Sequence, residues 1–245
     1  MAEALVLEFS RFEFKYVLHR RLRELVEAEL GYFMELDPHV ETREHSRYFV
    51  RSLYLDDPQH TAFHDKIDGL KTRSKFRFRT YADHPSGAPV FLEEKGRTNN
   101  RVFKHRMLLA GEGESVTTES LINNLLSEGA ANQGLADKFR YEWFRRRIRP
   151  VTLIDYWRRP YVSRYDHEFR VTFDENLQAW NTDNLFPPPS ASGRRLLPGY
   201  TVMEVKFGHK LPAWFHKIIQ SFELKRVPLS KICEGMTTLN IAIDL

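Results

Sequence analysis

Residues 74–81 read SKFRFRTY, and the reading of this stretch decides the fold. In a strand, successive side chains alternate between two faces. Lys75, Arg77, Arg79 and Tyr81 then share one face, and Phe76, Phe78 and Thr80 share the other. The phenylalanine face is the one to bury. The opposite face carries three cations, spaced two residues apart. Taken alone it reads as solvated, because half-buried antiparallel strands commonly turn a polar face to water. Recurrence of the pattern in other strands separates the readings.

The pattern recurs along the chain. In FEFKY, Glu13 and Lys15 oppose Phe12, Phe14 and Tyr16. VFLEEKGR aligns Glu93, Lys95 and Arg97, and RVFKHRM aligns Lys104 and Arg106 against Phe103. LIDYWRR aligns Tyr156 with Arg158, and FRVTFD aligns Arg170, Thr172 and Asp174. VMEVKFG sets Glu204 and Lys206 against Met203, Val205 and Phe207. These faces are almost purely ionic, with cations in excess, whereas a solvated face would also hold serine, threonine and amides. The expected architecture is α+β, an antiparallel β-barrel turned inside out. Its apolar faces point outward under amphipathic helices, and its charged faces line a tunnel.

An empty lining of this kind is unstable. Desolvating an ion costs several kcal/mol even after relaxation, and clustered like charges repel. The lining makes sense if it stays wet and receives a polyanion. Alternating cations lie about 6.5–7 Å apart along a strand, and opposite walls fill the gaps, so a chain of phosphates can be held from all sides. The few glutamates cannot serve phosphates. They can hold a hard divalent cation that bridges phosphate oxygens.

The rest of the sequence is consistent with one domain over 1–245. Hydrophobic residues make up 42% of the 245, which suits a globular chain. The single cysteine, Cys233, excludes a disulfide framework and a cysteine-based zinc site. The opening MAEALVLEFSRFEFK is unlike a secretory signal. No apolar run approaches the roughly 18 residues that suggest a membrane span, so a soluble, cytoplasmic protein is expected. The net charge of +4 is too small to diagnose a nucleic-acid binder.

Helices are expected over 17–35 (ended by Asp37-Pro38), 118–128, 135–148, from Pro212 to about 226, and over 229–239; TAFHDKIDG also reads as helical. Strands fill 46–109 around turns at 57–58, 83–89 and 99–100, and resume over 151–164, 167–180 and 200–208; residues 186–199 form a proline-rich loop. Glu94, of opposite parity to Glu93, is expected exposed. RRRIR at 145–149 reads as a solvated helix end, and Lys75 and Arg97 as tunnel-mouth residues. The ten histidines show no ligand spacing and read as surface or loop residues.

FEFKY, SLYLDD, KFRFRTY, VFLEEKGR, VFKHRM, DYWRRPY, FRVTFD, MEVKF and PLSKIC stand here in an order that resembles the polyphosphate polymerase (VTC) domain of the vacuolar transporter chaperone family, within the triphosphate tunnel metalloenzymes. The resemblance covers roughly residues 9–240. It implies a tunnel-shaped barrel and synthesis of inorganic polyphosphate from the terminal phosphate of ATP with a divalent metal, Mn²⁺ or Mg²⁺. By the same resemblance Lys15, Arg77, Arg79, Lys95, Lys104, Arg158 and Lys231 match phosphate-contacting positions. Tyr156 and Ser230 match hydrogen-bonding positions, and Glu204 matches the metal ligand; apart from the resemblance, Glu93 or Glu13 is expected to hold the metal with Glu204. Strand parity adds Arg106 and Lys206 as neighbours. The superfamily's hydrolases carry a Glu-x-Glu-x-Lys signature. Here RFEFK places Arg11 where its first glutamate would stand, which favours the polymerase branch. The family's yeast members sit in membrane complexes, whereas no membrane segment is read here.

The expected chemistry is phosphoryl transfer, dominated by positioning and charge stabilisation. The partners implied are ATP and inorganic polyphosphate, triphosphate or pyrophosphate. The acceptor phosphate is already ionised, so the missing Ser-His-Asp, HExxH and P-loop patterns are no objection. Alternatives are a tunnel triphosphatase or polyphosphate hydrolase, with water as nucleophile, and a non-catalytic polyphosphate-binding protein. A nucleic-acid module fits less well: the aromatics lie opposite the cations, so bases could not stack beside the phosphates they accompany.

Overall fold

The computed structural model describes residues 6–7, 11–99, 101–127 and 133–243. Eleven strands join one antiparallel sheet: β1 (Val6–Leu7), β2 (Phe12–His19), β3 (Met34–Leu36), β4 (Tyr48–Asp56), β5 (Thr72–Thr80), β6 (Val90–Thr98), β7 (Arg101–Ala110), β8 (Arg149–Ser163), β9 (Arg170–Trp180), β10 (Arg194–Arg195) and β11 (Tyr200–Phe207). The main path runs β1-β7-β6-β5-β4-β8-β9-β11-β2, with β3 on β8 and β10 on β9. The helices are α1 (Arg20–Leu30), α2 (Pro38–Glu41), α3 (Thr61–Ile67), α4 (Thr118–Leu126), α5 (Gln133–Tyr141), α6 (Ala213–Ser221) and α7 (Lys231–Thr238).

The sheet curls but does not close into the expected barrel. Among the described residues no ladder joins β2 to β1 or β7. The reason is local. The free edge of β2 is taken by the segment before α7, where Tyr16 bridges Arg226 and the Val227 amide donates to the Lys15 carbonyl at 2.8 Å. A side-chain ion pair reaches across the seam, from Lys95 of β6 to Glu13 of β2 at 3.0 Å.

Two apolar clusters cover the convex face. One packs Leu53, Phe76, Phe78, Leu92 and Met107 under Leu121, Leu125, Ala136 and Phe139 of α4 and α5. The other packs Phe173, Met203 and Val205 under Val26 and Leu30 of α1 and Phe215 and Ile218 of α6. The expectation that helices lie outside fails for α7. Its Ile232, Cys233 and Met236 pack with Val50, Ile154, Tyr156 and Val202, which share strand faces with the tunnel residues. The helix therefore fills part of the concave side. Gly235 permits the close approach, since a Cβ there would meet Ile154 Cδ1 at 2.5 Å.

Other boundaries moved for tertiary reasons. The expected helix over 17–35 is split, because β2 continues to His19 against Tyr200 of β11 and residues 34–36 pair with β8. His19 caps α1 by accepting from the Leu22 amide, and Asp37 begins α2 instead of ending a long helix. The helix expected over 135–148 becomes α5 followed by a π turn over Glu142–Arg146, closed by Arg147 in the left-handed region at φ 59°. α6 ends at Ser221, short of 226. Arg145, Arg146, Arg147 and Arg149 are exposed, as read. Glu94, expected exposed, is fully buried, because Lys138 of α5 and His105 of β7 fold over it on the convex face.

Candidate functional site

The alternation read from the sequence sets one register across the sheet. Arg77 of β5 stands opposite Glu93 of β6, which stands opposite Arg106 of β7. Glu93 is fully buried among them. Arg77 Nη2 donates to Glu93 Oε2 at 2.6 Å, Arg106 Nε to Oε1 at 2.6 Å, and Lys104 Nζ lies 2.7 Å from Oε1. Arg77 Nη1 also donates to the Tyr54 hydroxyl at 2.9 Å. Arg79 donates to Ser52 Oγ at 3.0 Å and to the Tyr156 hydroxyl at 3.2 Å.

The facing wall comes from β2, β8, β9, β11 and the start of α7. Arg158 clamps Asp174 with two bonds, 2.6 and 2.7 Å, and reaches Glu204 at 3.0 Å. Lys231 bridges Asp174 Oδ2 and Glu204 Oε1, each at 2.6 Å. Lys15 lies 3.2 Å from Glu13 and 3.8 Å from Glu204, and donates to the Leu229 carbonyl at 3.1 Å. Lys206 lies 3.5 Å from Glu204. Lys75 crosses from β5 to donate to Ser230 Oγ at 3.3 Å. The Ser230 hydroxyl makes no capping bond, so the first amides of α7 present a helix N-terminus, with its partial positive charge, at this point.

Between the walls lies a cavity of about 180 Å³. Ten lysine and arginine side chains line it against two glutamates, Glu13 and Glu204, together with Tyr48, Tyr54, Tyr81 and Tyr156. It opens into a wider mouth of about 380 Å³, which shares Lys15, Lys75 and Lys95 and adds Lys66, Arg73, Arg97 and Arg226. Lys75 thus lines both spaces, and Arg97 only the mouth. All the phosphate-contacting positions expected from the sequence line the cavity. Arg106 does not: it stands behind Glu93 and donates to the Tyr81 hydroxyl at 2.7 Å.

The electrostatics follow from burial and crowding. Burial opposes ionisation of Glu93, but Arg77, Arg79, Lys104 and Arg106 outweigh it and hold its carboxyl well below the usual range. Glu204 is likewise held low against burial by Lys231, Arg158, Lys15 and Lys206. Glu13 is held low by Lys95 and Lys15. Lys231 is raised, because Asp174 and Glu204 overcome its burial. Burial together with neighbouring cations pushes Lys75 and Lys206 down to about 8 and Lys104 to about 6. Lys104 is depressed despite its contact with Glu93, because that one carboxylate is divided among four cations.

The glutamates expected to hold a metal do not form a ready site. Both Glu93 oxygens are engaged by Arg77, Arg106 and Lys104. Both Glu204 oxygens are engaged by Lys231 and Arg158. Among the described residues no group of three or more His, Cys, Asp or Glu side chains is placed to hold an ion. Sequence reading missed Asp174 as a partner of the site, although it had placed it on the inward face. It also missed Tyr54 and Ser52, which sit in the apolar run of SLYLDD, where alternation is weak; the strand partner Arg77 is the signal that finds Tyr54.

The family profile described as the VTC domain matches residues 10–240. No curated protein matches the chain. Among solved structures, an adenylate-cyclase candidate from Bacillus halodurans superposes with a TM-score of 0.53 at 11% identity, over 91% of this chain and 96% of that one, which shows a shared fold. A Hippeastrum adenylyl-cyclase candidate with dominant triphosphatase activity is also similar, at a TM-score of 0.44, 10% identity, and 93% and 95% coverage. No helix among the described residues is long and apolar enough to cross a membrane.

Proposed function

We propose, from the premise that this chain belongs to the VTC domain family, that it is a phosphotransferase that builds inorganic polyphosphate from the terminal phosphoryl group of ATP. One observation carries the reading: a cavity between the two walls, lined by ten cations and two glutamates and continuous with a cationic mouth. Neutral small molecules and single anions need no such lining, whereas a linear chain of phosphates does.

The roles follow from placement. Arg77, Arg79 and Arg158 offer planar donor forks to phosphate oxygens, and Lys15, Lys75, Lys95, Lys104, Lys206 and Lys231 supply point charges between them. Tyr156 and Ser230 donate hydroxyl bonds. Arg106 fixes Glu93, and Glu93 in turn fixes Arg77. Holding donor and acceptor phosphates in line, with charge already compensated, is the main catalytic task in phosphoryl transfer. A divalent Mn²⁺ or Mg²⁺ is read as arriving with the substrate, bound to its phosphate oxygens, where it would neutralise their charge. Glu204 and Glu13 are the carboxylates that face its path.

The same geometry favours polymerase over hydrolase. Glu13 and Glu204 are both ion-paired, and their cationic partners hold their proton affinity low, so each is a weak base for water. A phosphate acceptor does not require one to the same degree. The lone buried cysteine suits a cytoplasmic site of action, where ATP is abundant.

The test is incubation with ATP and Mn²⁺ or Mg²⁺, followed by gel staining for polyphosphate. Long chains formed with matching ADP are expected. Free phosphate in proportion to ADP without chains would establish the hydrolase instead. Tight tripolyphosphate binding with no turnover would establish a binding protein.

A further inference from the structure

We propose that the arginine-rich turn after α5 is a docking knob. It seats the protein on an anionic phospholipid surface through the rings of Tyr141 and Phe144 and the guanidinium groups of Arg145 and Arg147. This stands apart from the reading of the cavity and does not depend on it.

The turn is built to face outward. Phe139 of α5 is fully buried, and Trp143 stacks on it with ring centroids 5.7 Å apart. In a continuing α-helix the same face would next take Arg146 or Arg147, three or four residues on. The π turn over Glu142–Arg146 takes up an extra residue, so that face passes the arginines and brings Ile148 into the core cluster instead. Arg147 closes the turn in the left-handed region, which residues other than glycine rarely adopt. Arg149 lies over the Trp143 ring at 3.8 Å and donates to the Ile148 carbonyl at 2.7 Å, which holds the turn from the side. Left facing water are Tyr141, 60% exposed, Phe144, 69% exposed, and three consecutive arginines.

Two of those arginines are unmatched within the protein. Glu142 is taken by Arg146 at 3.3 Å, and Asp137 by Arg140. Among the described residues Arg145 and Arg147 have no carboxylate partner. Shape then selects the occupant. The cavity, its mouth and the small pocket beside Arg146 do not include Tyr141, Phe144, Arg145 or Arg147. The turn offers a projecting tip, whereas small ligands and extended peptides take concave sites. Two unmatched cations are also too few to track a nucleic-acid backbone. A bilayer interface fits the tip. Aromatic rings settle at headgroup level. Arginine stems lie along the apolar chains while their forks engage lipid phosphates. Anionic headgroups add attraction for each cation.

The experiment is co-sedimentation of the full chain, at low salt, with vesicles of phosphatidylcholine alone and of an equal mixture of phosphatidylcholine and phosphatidylglycerol. Wild type should bind the mixed vesicles and leave the neutral ones. Arg145→Gln together with Arg147→Gly should weaken binding by about 25-fold, about fivefold for each cation removed. Glycine accepts the left-handed backbone, so the fold is kept. Phe144→Ser should weaken binding by about tenfold, through lost apolar burial. Arg77→Ala, inside the cavity, should bind vesicles as wild type does. The knob variants should keep the wild-type rise in melting temperature with tripolyphosphate, which shows them folded. Equal binding to both vesicles, or to neither, would overturn the proposal. So would knob variants that bind as tightly as wild type, or an equal loss in Arg77→Ala. Retention of poly-glutamate but not of vesicles would overturn it in favour of an acidic protein partner. Vesicle binding needs no turnover, so a chain that makes no polyphosphate overturns the polymerase reading and leaves the knob separately decided.

Discussion

The two walls of the cavity are built from the same residue types and balance their charge differently. On β5, β6 and β7, six cations (Lys75, Arg77, Arg79, Lys95, Lys104 and Arg106) share a face with one inward carboxylate, Glu93, which pairs with four of them: Arg77, Arg79, Lys104 and Arg106. On the facing wall Arg11, Lys15, Arg158, Lys206 and Lys231 stand against Glu13, Asp174 and Glu204. The first wall is unsatisfied without an anionic ligand. The second has the smaller cationic excess, and its three carboxylates hold Lys15, Arg158, Lys206 and Lys231 at fixed positions. The difference assigns phosphate affinity mainly to the first wall and alignment mainly to the second.

The largest expected effect breaks the first wall. Arg77→Ala should weaken tripolyphosphate binding by about 10–100-fold, the worth of a charged hydrogen-bonding fork, and lower turnover by a similar factor. Equilibrium titration checks the first and product formation the second. On the second wall, Glu204→Gln should leave binding equal or tighter, because one negative charge is removed from the cavity. Turnover should fall by about tenfold as Lys231 and Arg158 lose an anchor, an effect confined to kcat. Equal losses of affinity in both variants would erase the distinction between the walls.

The lysines give a pH signature. Lys104 at about 6, and Lys75 and Lys206 at about 8, all lie below the free-lysine value. Between these values and about 10.4 the unfolded chain binds more protons than the folded one, so these groups make the empty protein more stable as pH rises through that window. A polyanion raises them again. Tripolyphosphate binding at pH 8 should therefore take up protons, seen as a calorimetric heat that depends on the buffer, and the ligand's gain in melting temperature should shrink as pH rises. The smallest effect on binding belongs to the convex face. Lys138→Ala exposes no cavity group and should leave tripolyphosphate affinity unchanged. Stability should fall by about 1–2 kcal/mol, less than the 3–5 kcal/mol for a fully buried pair, because Lys138 is 43% exposed. Thermal melting reads the change.

Much of this arrangement was legible in the sequence because strand alternation is local. KFRFRTY, VFLEEKGR and MEVKF each carry their inward cations and glutamates at every second position, and the registers of β5, β6 and β11 bear that out. What depended on distant partners was not legible. Nothing local says that the segment before α7, and not β7, takes the free edge of β2, so an open sheet read as a closed barrel. The apolar stripe of α7 shows that a face is buried but not on which side of the sheet. Glu94 looked solvated because its partner Lys138 is 44 residues away. Asp174 had the right parity, but its importance comes from Arg158 and Lys231, two side chains from other elements.

The central claim is that the cationic wall exists to hold a linear chain of phosphates, and the dependence of affinity on chain length tests it most directly. Pyrophosphate, tripolyphosphate and longer polyphosphate should be titrated at one pH and salt concentration, with wild type and Arg77→Ala. Affinity should climb with each added phosphate until the lining is filled and then level off, with a shallower climb in the variant. If pyrophosphate binds wild type as tightly as long chains do, the cavity is a site for a small anion and the account is wrong.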